Sequence, residues 1–401
     1  MYNCVGLKFK LPLLREVNMN TGYQSSNRNA HQLHAGRGPL ASLRAIALEL
    51  GGKDFKPHAL FVSGHAQTLA GYAWPRRFGL RTLRTDDERV FEIEPGVRLL
   101  AHCRWHKERL AHPTLLLSHG LEGSSTSVYM LSTAAKAFDA GFNVLRLNQR
   151  NCGGTEHLTP TLYHSGMSGD LRAIILELIE QDKLGQIFLA GFSMSGNIAL
   201  KLAGEYGETP PRELAAICAV SPSVDLSASV EAIERPDNRL YMRNFMKNLR
   251  RRIRHKQKLY PELYDATNLN QVRTIREFDE RYTSAHGGFA DADDYYARAS
   301  SLPLMGQIRI PTLIIHAQDD PFIPFEPLRH PSIKENPYLL LLAPQHGGHV
   351  GFVGSETIGE DRFWAENRLV EFCRLMVLES ESDEGGVNQK EVDEPVLKES
   401  V

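Results

Sequence analysis

Three side chains that together could activate a hydroxyl nucleophile follow one another in this chain of 401 residues. Ser193 lies inside the segment QIFLAGFSMSGN, aspartates follow the later segment PTLIIHAQ, and histidines follow the segment YLLLL near the end. A serine hydroxyl is a weak nucleophile, so it needs an imidazole to accept its proton and a carboxylate to orient that imidazole. The residue types and their order therefore predict a Ser-His-Asp charge relay around Ser193.

Two members of this relay have a nearby competitor. We favour Asp320 over Asp319, because its spacing to Pro324 matches the D-x-x-x-P pattern that is usual in such acidic loops; Asp319 remains an alternative. We favour His349 over His346, because the two glycines before His349 would let the loop approach the serine. His346 is interpreted as a loop histidine.

The residues around Ser193 predict a sharp strand-to-helix turn. The continuous apolar run 187–190 is typical of a strand buried on both faces of a parallel sheet, and residues 197–203 combine helix formers with an apolar face. Gly191, Ser195 and Gly196 are small enough for a tight reversal, which would lift the serine hydroxyl above the sheet edge. Ser195 stands where a complete G-x-S-x-G motif has glycine, so an ordinary buried turn is the alternative.

The sequence also indicates which backbone N–H groups could stabilise a negatively charged intermediate. When a serine attacks a carbonyl carbon, one N–H group follows the nucleophile and a second comes from the loop after an early strand. In this chain these are the N–H groups of Met194 and of Leu121, which lies in the segment HGLEGSS. The alternative for His119-Gly120 is a plain turn at the end of a strand.

The elements that must position these groups alternate regularly. The apolar runs 114–117, 142–147, 187–190, 214–220, 311–316 and 338–342 are separated by helical patterns, which predicts a mostly parallel, doubly wound sheet with helices on both faces. A hairpin is predicted within 90–105, and helices at 40–50 and 361–377. The alternation stops at 221–304, which predicts a helical cap insertion over the sheet edge where α/β sheets bind ligands.

These elements predict three regions. Residues 1–52 are expected to form a largely disordered N-terminal extension, within which Met19 is an alternative start. Residues 53–378 would form one α/β domain that carries the cap, and residues 379–401 an acidic disordered tail.

The composition limits the classes of partner. A net charge of −2 argues against nucleic acid, and no Walker, G-x-G-x-x-G or H-E-x-x-H motif predicts a nucleotide or metal cofactor. Five cysteines, an odd number without C-x-x-C spacing, indicate reduced thiols. No stretch approaches the roughly 18 apolar residues of a membrane span, and the N-terminus makes a poor signal peptide, so we expect a cytoplasmic protein.

A basic run at 250–258 stands out within the predicted cap. It is typical of a solvated helix face, with peripheral contact to anionic lipid headgroups as the alternative.

Eight segments resemble, in order, those of the YheT-like branch of the α/β-hydrolases, also called AB hydrolase family four, which includes bacterial esterases and animal abhydrolase-domain lipases. The resemblance covers about residues 55–377 and rests on the segments GHAQT, HGLEGSS, RNCGG, LYHSGMSGDLR, GFSMSGN, TIREFDERYTS, DDPFIP and HGGHVGF. The resemblance implies the α/β-hydrolase fold, with Ser193, Asp320 and His349 as the charge-relay triad. It also implies a serine esterase or lipase acting on carboxylic esters of short to medium acyl chains.

The sequence thus predicts a serine carboxylic ester hydrolase that works through an acyl-enzyme on a small acyl ester and needs no cofactor. A monoacylglycerol or phospholipid lipase, or an acyltransferase, is the alternative, and would differ only in the headgroup or acceptor that the cap admits. A non-catalytic ligand-binding protein on the same scaffold is a further alternative, recognisable by a missing relay residue or a blocked oxyanion loop.

Overall fold

The computed structural model describes residues 39–76 and 87–390. The start of the predicted N-terminal extension, with Met19 and Cys4, and the last part of the predicted acidic tail lie outside the described residues.

Eight strands form one sheet in the described part of the chain. They are β1 (Asp87–Glu94), β2 (Val97–Arg104), β3 (Thr114–Ser118), β4 (Asn143–Leu147), β5 (Ile187–Phe192), β6 (Leu214–Val220), β7 (Thr312–Ile315) and β8 (Leu339–Leu342). Their spatial order is β1-β2-β4-β3-β5-β6-β7-β8. The hairpin β1-β2 and the pair β2-β4 are antiparallel, and every other pairing is parallel. The mostly parallel sheet predicted from the apolar runs is confirmed.

The sheet separates two apolar cores, because successive side chains of a strand point to opposite faces. On β3, Leu116 enters one core and Leu117 the other. Helices α4 (Ser168–Glu180) and α5 (Met194–Tyr206) cover the Leu116 face, whereas α1 (Pro39–Gly51), α3 (Val128–Asp139) and α12 (Trp364–Lys390) cover the opposite face. Strands buried on both sides explain why their sequences show continuous apolar runs rather than alternation.

Helices fill the segment predicted as the cap. They are α6 (Leu226–Ile233), α7 (Arg239–Leu259), α8 (Ile275–Phe278), a π-helical turn (Asp279–Ser284), α9 (Ala285–Gly287) and α10 (Ala292–Ala299). Their apolar side chains form a separate cluster that includes Ile253, Phe278 and, from the loop after β7, Ile323. The cap therefore rests on the loop that carries Asp320.

Shorter elements complete the described chain. They are helices α2 (Gly64–Ala73) and α11 (Pro331–Lys334) and the 3₁₀ turns Arg109–Ala111, Pro236–Asn238, Leu269–Gln271, Leu302–Gln307 and Glu326–Arg329. None of the helices in residues 39–76 and 87–390 combines the length and the apolar character that crossing a bilayer requires.

Helix α1 confirms the helix predicted at 40–50, but both outermost helices differ from the disordered regions predicted for the chain ends. Helix α1 lies inside the predicted N-terminal extension, yet its Leu43, Ile46 and Leu50 are buried in the core that α12 also lines. Helix α12 continues to Lys390, past the predicted end at 377, so the first part of the predicted acidic tail is helical. A helix satisfies its backbone hydrogen bonds internally and can continue beyond its last core residue, so apolar periodicity underestimates its length.

The burial of α1 predicts a measurable contribution to stability. Replacing Ile46, which is 2% exposed, by alanine should lower the free energy of unfolding by about 2–4 kcal/mol, because a buried cavity forms. The matched control is Leu48→Ala on the same helix, where the side chain is 82% exposed and the change should stay within about 0.5 kcal/mol. Urea unfolding measures both values. Equal effects of the two substitutions would contradict the docking of α1.

Candidate active site

Ser193 occupies the turn between β5 and α5. Strand β5 ends at Phe192 and helix α5 begins at Met194, so a single residue makes the reversal. Its φ of 54° and ψ of −120° are rarely adopted outside glycine. The turn is so tight that a Cβ atom on Gly191 would lie 2.2 Å from the Ser195 carbonyl oxygen. This is the strained geometry of a nucleophile elbow, which exposes a serine hydroxyl at the C-terminal edge of a parallel sheet.

The three predicted relay residues lie in one chain of hydrogen bonds. Ser193 Oγ is 2.9 Å from His349 Nε2, and His349 Nδ1 is 2.8 Å from Asp320 Oδ2. The other carboxylate oxygen, Asp320 Oδ1, accepts hydrogen bonds from the N–H groups of Phe322 (2.8 Å) and Ile323 (3.0 Å). With Nδ1–H donating to the carboxylate, Nε2 is free to accept the proton of the serine.

The environment of Asp320 favours its ionised form. Its side chain is fully buried, and burial alone would favour the neutral acid. The charge and hydrogen bond of His349, with the neighbouring His316 and the Phe322 N–H group, outweigh burial and hold the pKa of Asp320 below its usual value. A carboxylate in this position can stabilise an imidazolium.

The competing aspartate and histidine pair with each other instead. His346 Nδ1 lies 3.1 Å from Asp319 Oδ2, and Asp319 Oδ1 accepts a hydrogen bond from the Gly348 N–H group at 2.9 Å. This second pair lies beside the relay and braces the loop that carries His349. The two adjacent aspartates therefore pair with two different histidines of the same loop, Asp320 with His349 and Asp319 with His346.

Helix α2, which contains the segment GHAQT, anchors the His349 loop. The His349 N–H group donates to Thr68 Oγ1 (2.9 Å), and the fully buried Gln67 exchanges two hydrogen bonds with the backbone of Val353 (2.7 and 3.0 Å). A Cβ atom on Gly348 would lie 2.3 Å from the Gly64 carbonyl oxygen. Sequence analysis named this segment only because it resembles one of the family. The sequence signal for its anchoring role was weak: Gln67 and Thr68 stand side by side among small residues in a short helix.

The predicted oxyanion donors flank the serine. A Cβ atom on Gly120 would lie 2.9 Å from Ser193 Cβ, so the loop containing Leu121 passes directly over the nucleophile. The Gly120 N–H group is held by the Tyr129 hydroxyl at 3.0 Å. Among the described residues, the N–H groups of Leu121 and Met194 have no acceptor, which leaves both available to a substrate oxygen.

Comparison with known proteins assigns the family. A family profile described as alpha/beta hydrolase fold matches residues 113–355. The protein named "Putative esterase YheT" of Escherichia coli (strain K12) is 31% identical over 319 residues, which are 79% of this chain and 92% of that protein. The chain belongs to the α/β-hydrolase family, in its YheT-like branch. The predicted resemblance and fold are confirmed.

Two eukaryotic relatives match this hydrolase over a smaller part of their own length. "Phospholipase ABHD3" of Homo sapiens is 30% identical over 60% of this chain and 59% of that protein. "Monoacylglycerol lipase" of Saccharomyces cerevisiae (strain ATCC 204508 / S288c) is 31% identical over 66% of this chain and 60% of that protein. The chain thus spans about three fifths of each of these relatives.

Ser195, the departure from the complete hydrolase motif, joins the elbow to the oxyanion loop. Its buried hydroxyl donates to the His119 carbonyl oxygen (2.6 Å) and lies 2.8 Å from Ser118 Oγ. Gln149, in the loop that follows β4, donates both to Ser195 Oγ (2.7 Å) and to the same His119 carbonyl (2.6 Å). The ends of three neighbouring elements are therefore joined beneath Ser193. A glycine at 195 could not make these contacts.

The cap of the hydrolase also reaches the oxyanion loop, through a buried ion pair. Arg252, which sequence analysis placed on a solvated or lipid-facing basic helix, is buried and lies 2.8 Å from a carboxylate oxygen of Glu122, the residue after Leu121. Arg252 also donates to the Asn151 carbonyl oxygen at 2.6 Å, and its guanidinium lies over the Tyr163 ring. The expectation of an exposed basic face was therefore wrong for Arg252, because its partners come from distant loops that no local pattern reveals.

Two cavities meet at Ser193. The inner one, of about 100 Å³, lies beneath the cap and includes Leu121, Met194, Leu226, Ile275, Asp279 and Tyr296 in its lining. The outer one is a groove of about 730 Å³ whose lining includes Leu69, Tyr72, Leu240, Tyr241, Phe322 and His349. Ser193 and Leu121 border both spaces. A substrate at the serine can therefore place one part in each.

The pairing of the two aspartates predicts unequal effects of the same substitution. Asp320→Asn should lower kcat/KM by about 10³- to 10⁴-fold, because the amide no longer orients or stabilises the His349 imidazole as a carboxylate does. Asp319→Asn, the matched control, should lose less than about tenfold, since its amide oxygen can still accept from Gly348. Steady-state ester hydrolysis measures both. A larger loss in Asp319→Asn would reassign the acid.

The buried ion pair predicts a coupled effect on stability and rate. Arg252→Met should lower the free energy of unfolding by about 3 kcal/mol and reduce kcat, because Glu122 is left buried without its cation. Adding Glu122→Gln removes that charge and should restore part of the stability. Arg254→Met, an exposed position on the same helix, serves as the control and should change stability by less than about 0.5 kcal/mol. Additive effects of the Arg252 and Glu122 substitutions would refute the coupling.

Proposed function

We propose that this protein is a serine carboxylic ester hydrolase that acts on esters of short to medium acyl chains. The observation that carries the proposal is the chain of hydrogen bonds from Ser193 Oγ through His349 to Asp320, at 2.9 and 2.8 Å, with Ser193 in a strained elbow. The family supports the same class of reaction, and the names of the bacterial and yeast relatives describe an esterase and a lipase.

The proposed reaction has two halves. Ser193 Oγ attacks the ester carbonyl carbon while His349 Nε2 accepts the serine proton, and Asp320 stabilises the imidazolium that forms. The Leu121 and Met194 N–H groups bind the oxyanion of the tetrahedral intermediate. His349 then gives its proton to the leaving alcohol, which departs from the acyl-enzyme. A water molecule, deprotonated by His349, attacks the acyl carbon and releases the acid and Ser193.

The two cavities suggest which part of the ester goes where. His349 borders the outer groove, and the leaving alcohol must lie near its Nε2 to receive a proton. We therefore assign the alcohol to the outer groove and the acyl chain to the inner cavity, which Met194 borders. The small inner cavity supports an acyl chain of modest length.

The outer groove favours a lipid alcohol as a second candidate. Leu69, Tyr72 and Leu240 border it and are 57%, 73% and 75% exposed, which is unusual for large apolar side chains around one opening. A monoacylglycerol or a phospholipid would place its larger apolar part there, and peripheral contact of the cap with lipid would bring it close. An acyltransferase differs only in admitting an alcohol in place of water.

We also propose a reducing, cytoplasmic location. Cys103, Cys152, Cys218 and Cys373 are buried free thiols in the described part of the chain. Cys218 and Cys373 remain unbridged although their sulfur atoms lie 3.8 Å apart. The burial of these four thiols, together with the odd number of cysteines and the lack of C-x-x-C spacing, supports a compartment that keeps thiols reduced.

Hydrolysis of 4-nitrophenyl esters from acetate to palmitate tests the function. The wild-type rate should peak at a short or medium chain, and Ser193→Ala should lose at least about 1,000-fold, because no other group supplies the nucleophile. Ser227→Ala, a serine of the cap outside both cavities, is the control and should retain the wild-type rate. An active Ser193→Ala protein would refute the mechanism.

The same assay separates the alternatives. A wild-type protein that is inert on every ester would favour a ligand-binding role. Transfer of the acyl group to an added alcohol, at the expense of free acid, would favour the acyltransferase.

A further inference from the structure

A buried aspartate without a cationic partner lines the inner cavity, which Ser193 also borders. Asp279 begins the π-helical turn of the cap, and its two carboxylate oxygens accept one hydrogen bond each, from Thr283 Oγ1 (2.6 Å) and from the Tyr296 hydroxyl (2.9 Å). Among the ion pairs of the described residues, none includes Asp279. Arg276, a nearby cation, is exposed and pairs with Asp293 at 2.5 Å.

This arrangement is costly for the protein alone. A buried carboxyl group without a cation loses hydration that two hydrogen bonds only partly replace, and burial accordingly raises the pKa of Asp279 to about 7. Each oxygen of a carboxylate has a second lone pair, so the group can accept more hydrogen bonds than it receives from the protein. A carboxyl group of this kind, in a cavity that a proposed nucleophile also lines, points to a ligand that donates to it.

The cost of desolvation indicates the kind of donor. Arg252 also lines the cavity, but its guanidinium is already paired with Glu122, so its charge does not decide between donors. An ammonium group that entered the cavity would lose far more hydration than a neutral group. A hydroxyl group donates one hydrogen bond, carries no charge and fits a cavity whose other walls are largely apolar.

We propose that the inner cavity selects acyl groups that carry a hydroxyl, which donates a hydrogen bond to the Asp279 carboxylate. The inference rests on the proposed ester hydrolysis and on the assignment of the acyl chain to the inner cavity. It also gives a role to two segments, LYHSGMSGDLR and TIREFDERYTS, that sequence analysis named only through their resemblance. His164 of the first and Asp279 of the second both line this cavity.

The experiment compares matched esters on the wild-type protein. Pairs of 4-nitrophenyl esters with the same chain, with and without a hydroxyl, cover 3-hydroxybutyrate, 6-hydroxyhexanoate and 8-hydroxyoctanoate; 4- and 5-hydroxy esters are avoided because they cyclise to lactones. For at least one length, the hydroxylated ester should have a kcat/KM about tenfold higher, since a hydrogen bond to a charged group is worth about 1.5 kcal/mol or more. The corresponding methoxy ester, which accepts but does not donate, should lack this advantage above pH 8.

A variant assigns the preference to the carboxylate. Asp279→Asn keeps the shape of the side chain but removes its charge, and the ratio of the two kcat/KM values should fall to near one. Asp265→Asn is the matched control, because Asp265 lies on the same cap with its side chain 65% exposed and outside the cavity. It should keep the wild-type ratio. Thermal unfolding checks that both variants are folded.

The outcomes separate this inference from the proposed function. If no ester is hydrolysed, both the proposed function and this inference are wrong. If the wild-type protein hydrolyses esters without preference for a hydroxyl, only the inference is overturned. The wild-type measurement alone is enough for that conclusion. A hydroxyl preference that persists in Asp279→Asn would also overturn it.

Discussion

The backbone of Ser193 is the constraint on which the rest of the site depends. Its positive φ ends β5 and starts α5 within one residue, and close contact between Gly191 and the Ser195 carbonyl leaves no room for a gentler turn. Because the hydroxyl is then held above the sheet edge, the loop containing Gly120 must pass directly over it. The unusual backbone conformation of one residue thus brings the hydroxyl next to the loop of the proposed oxyanion donors.

Buried polar contacts hold the loops around that turn. Thr68 fixes the His349 loop, Ser195 fixes the end of β3, and Arg252 fixes Glu122 in the oxyanion loop. Such contacts specify orientation better than apolar packing does, because a buried polar group that loses its partner costs free energy. Each loop is therefore secured by a partner from another element, and the cap takes part in positioning the proposed chemistry.

Reaction and selectivity are divided between the two parts of the molecule. The sheet and its loops supply the relay, whereas the cap supplies most of the wall of the inner cavity and part of the outer groove. A cap can change without disturbing the relay, which is how one fold serves many substrates. The inner cavity is small and contains a carboxyl group, whereas the outer groove is wide and apolar. An ester with a modest acyl group and a larger apolar alcohol would fit these two spaces.

The sequence was sufficient to predict the mostly parallel sheet, since buried parallel strands appear as apolar runs. It also nominated the relay residues, since the C-terminal ends of such strands share an edge. The choice of Asp320 over Asp319 and of His349 over His346 required the local spacing to Pro324 and the two glycines before His349. Other features came only from the folded chain. Asp319 pairs with His346, helix α1 enters the core, and Arg252 turns inward to a residue 130 positions away. Local spacing carries no information on these contacts, because side-chain partners are chosen by the packing of distant segments against one another.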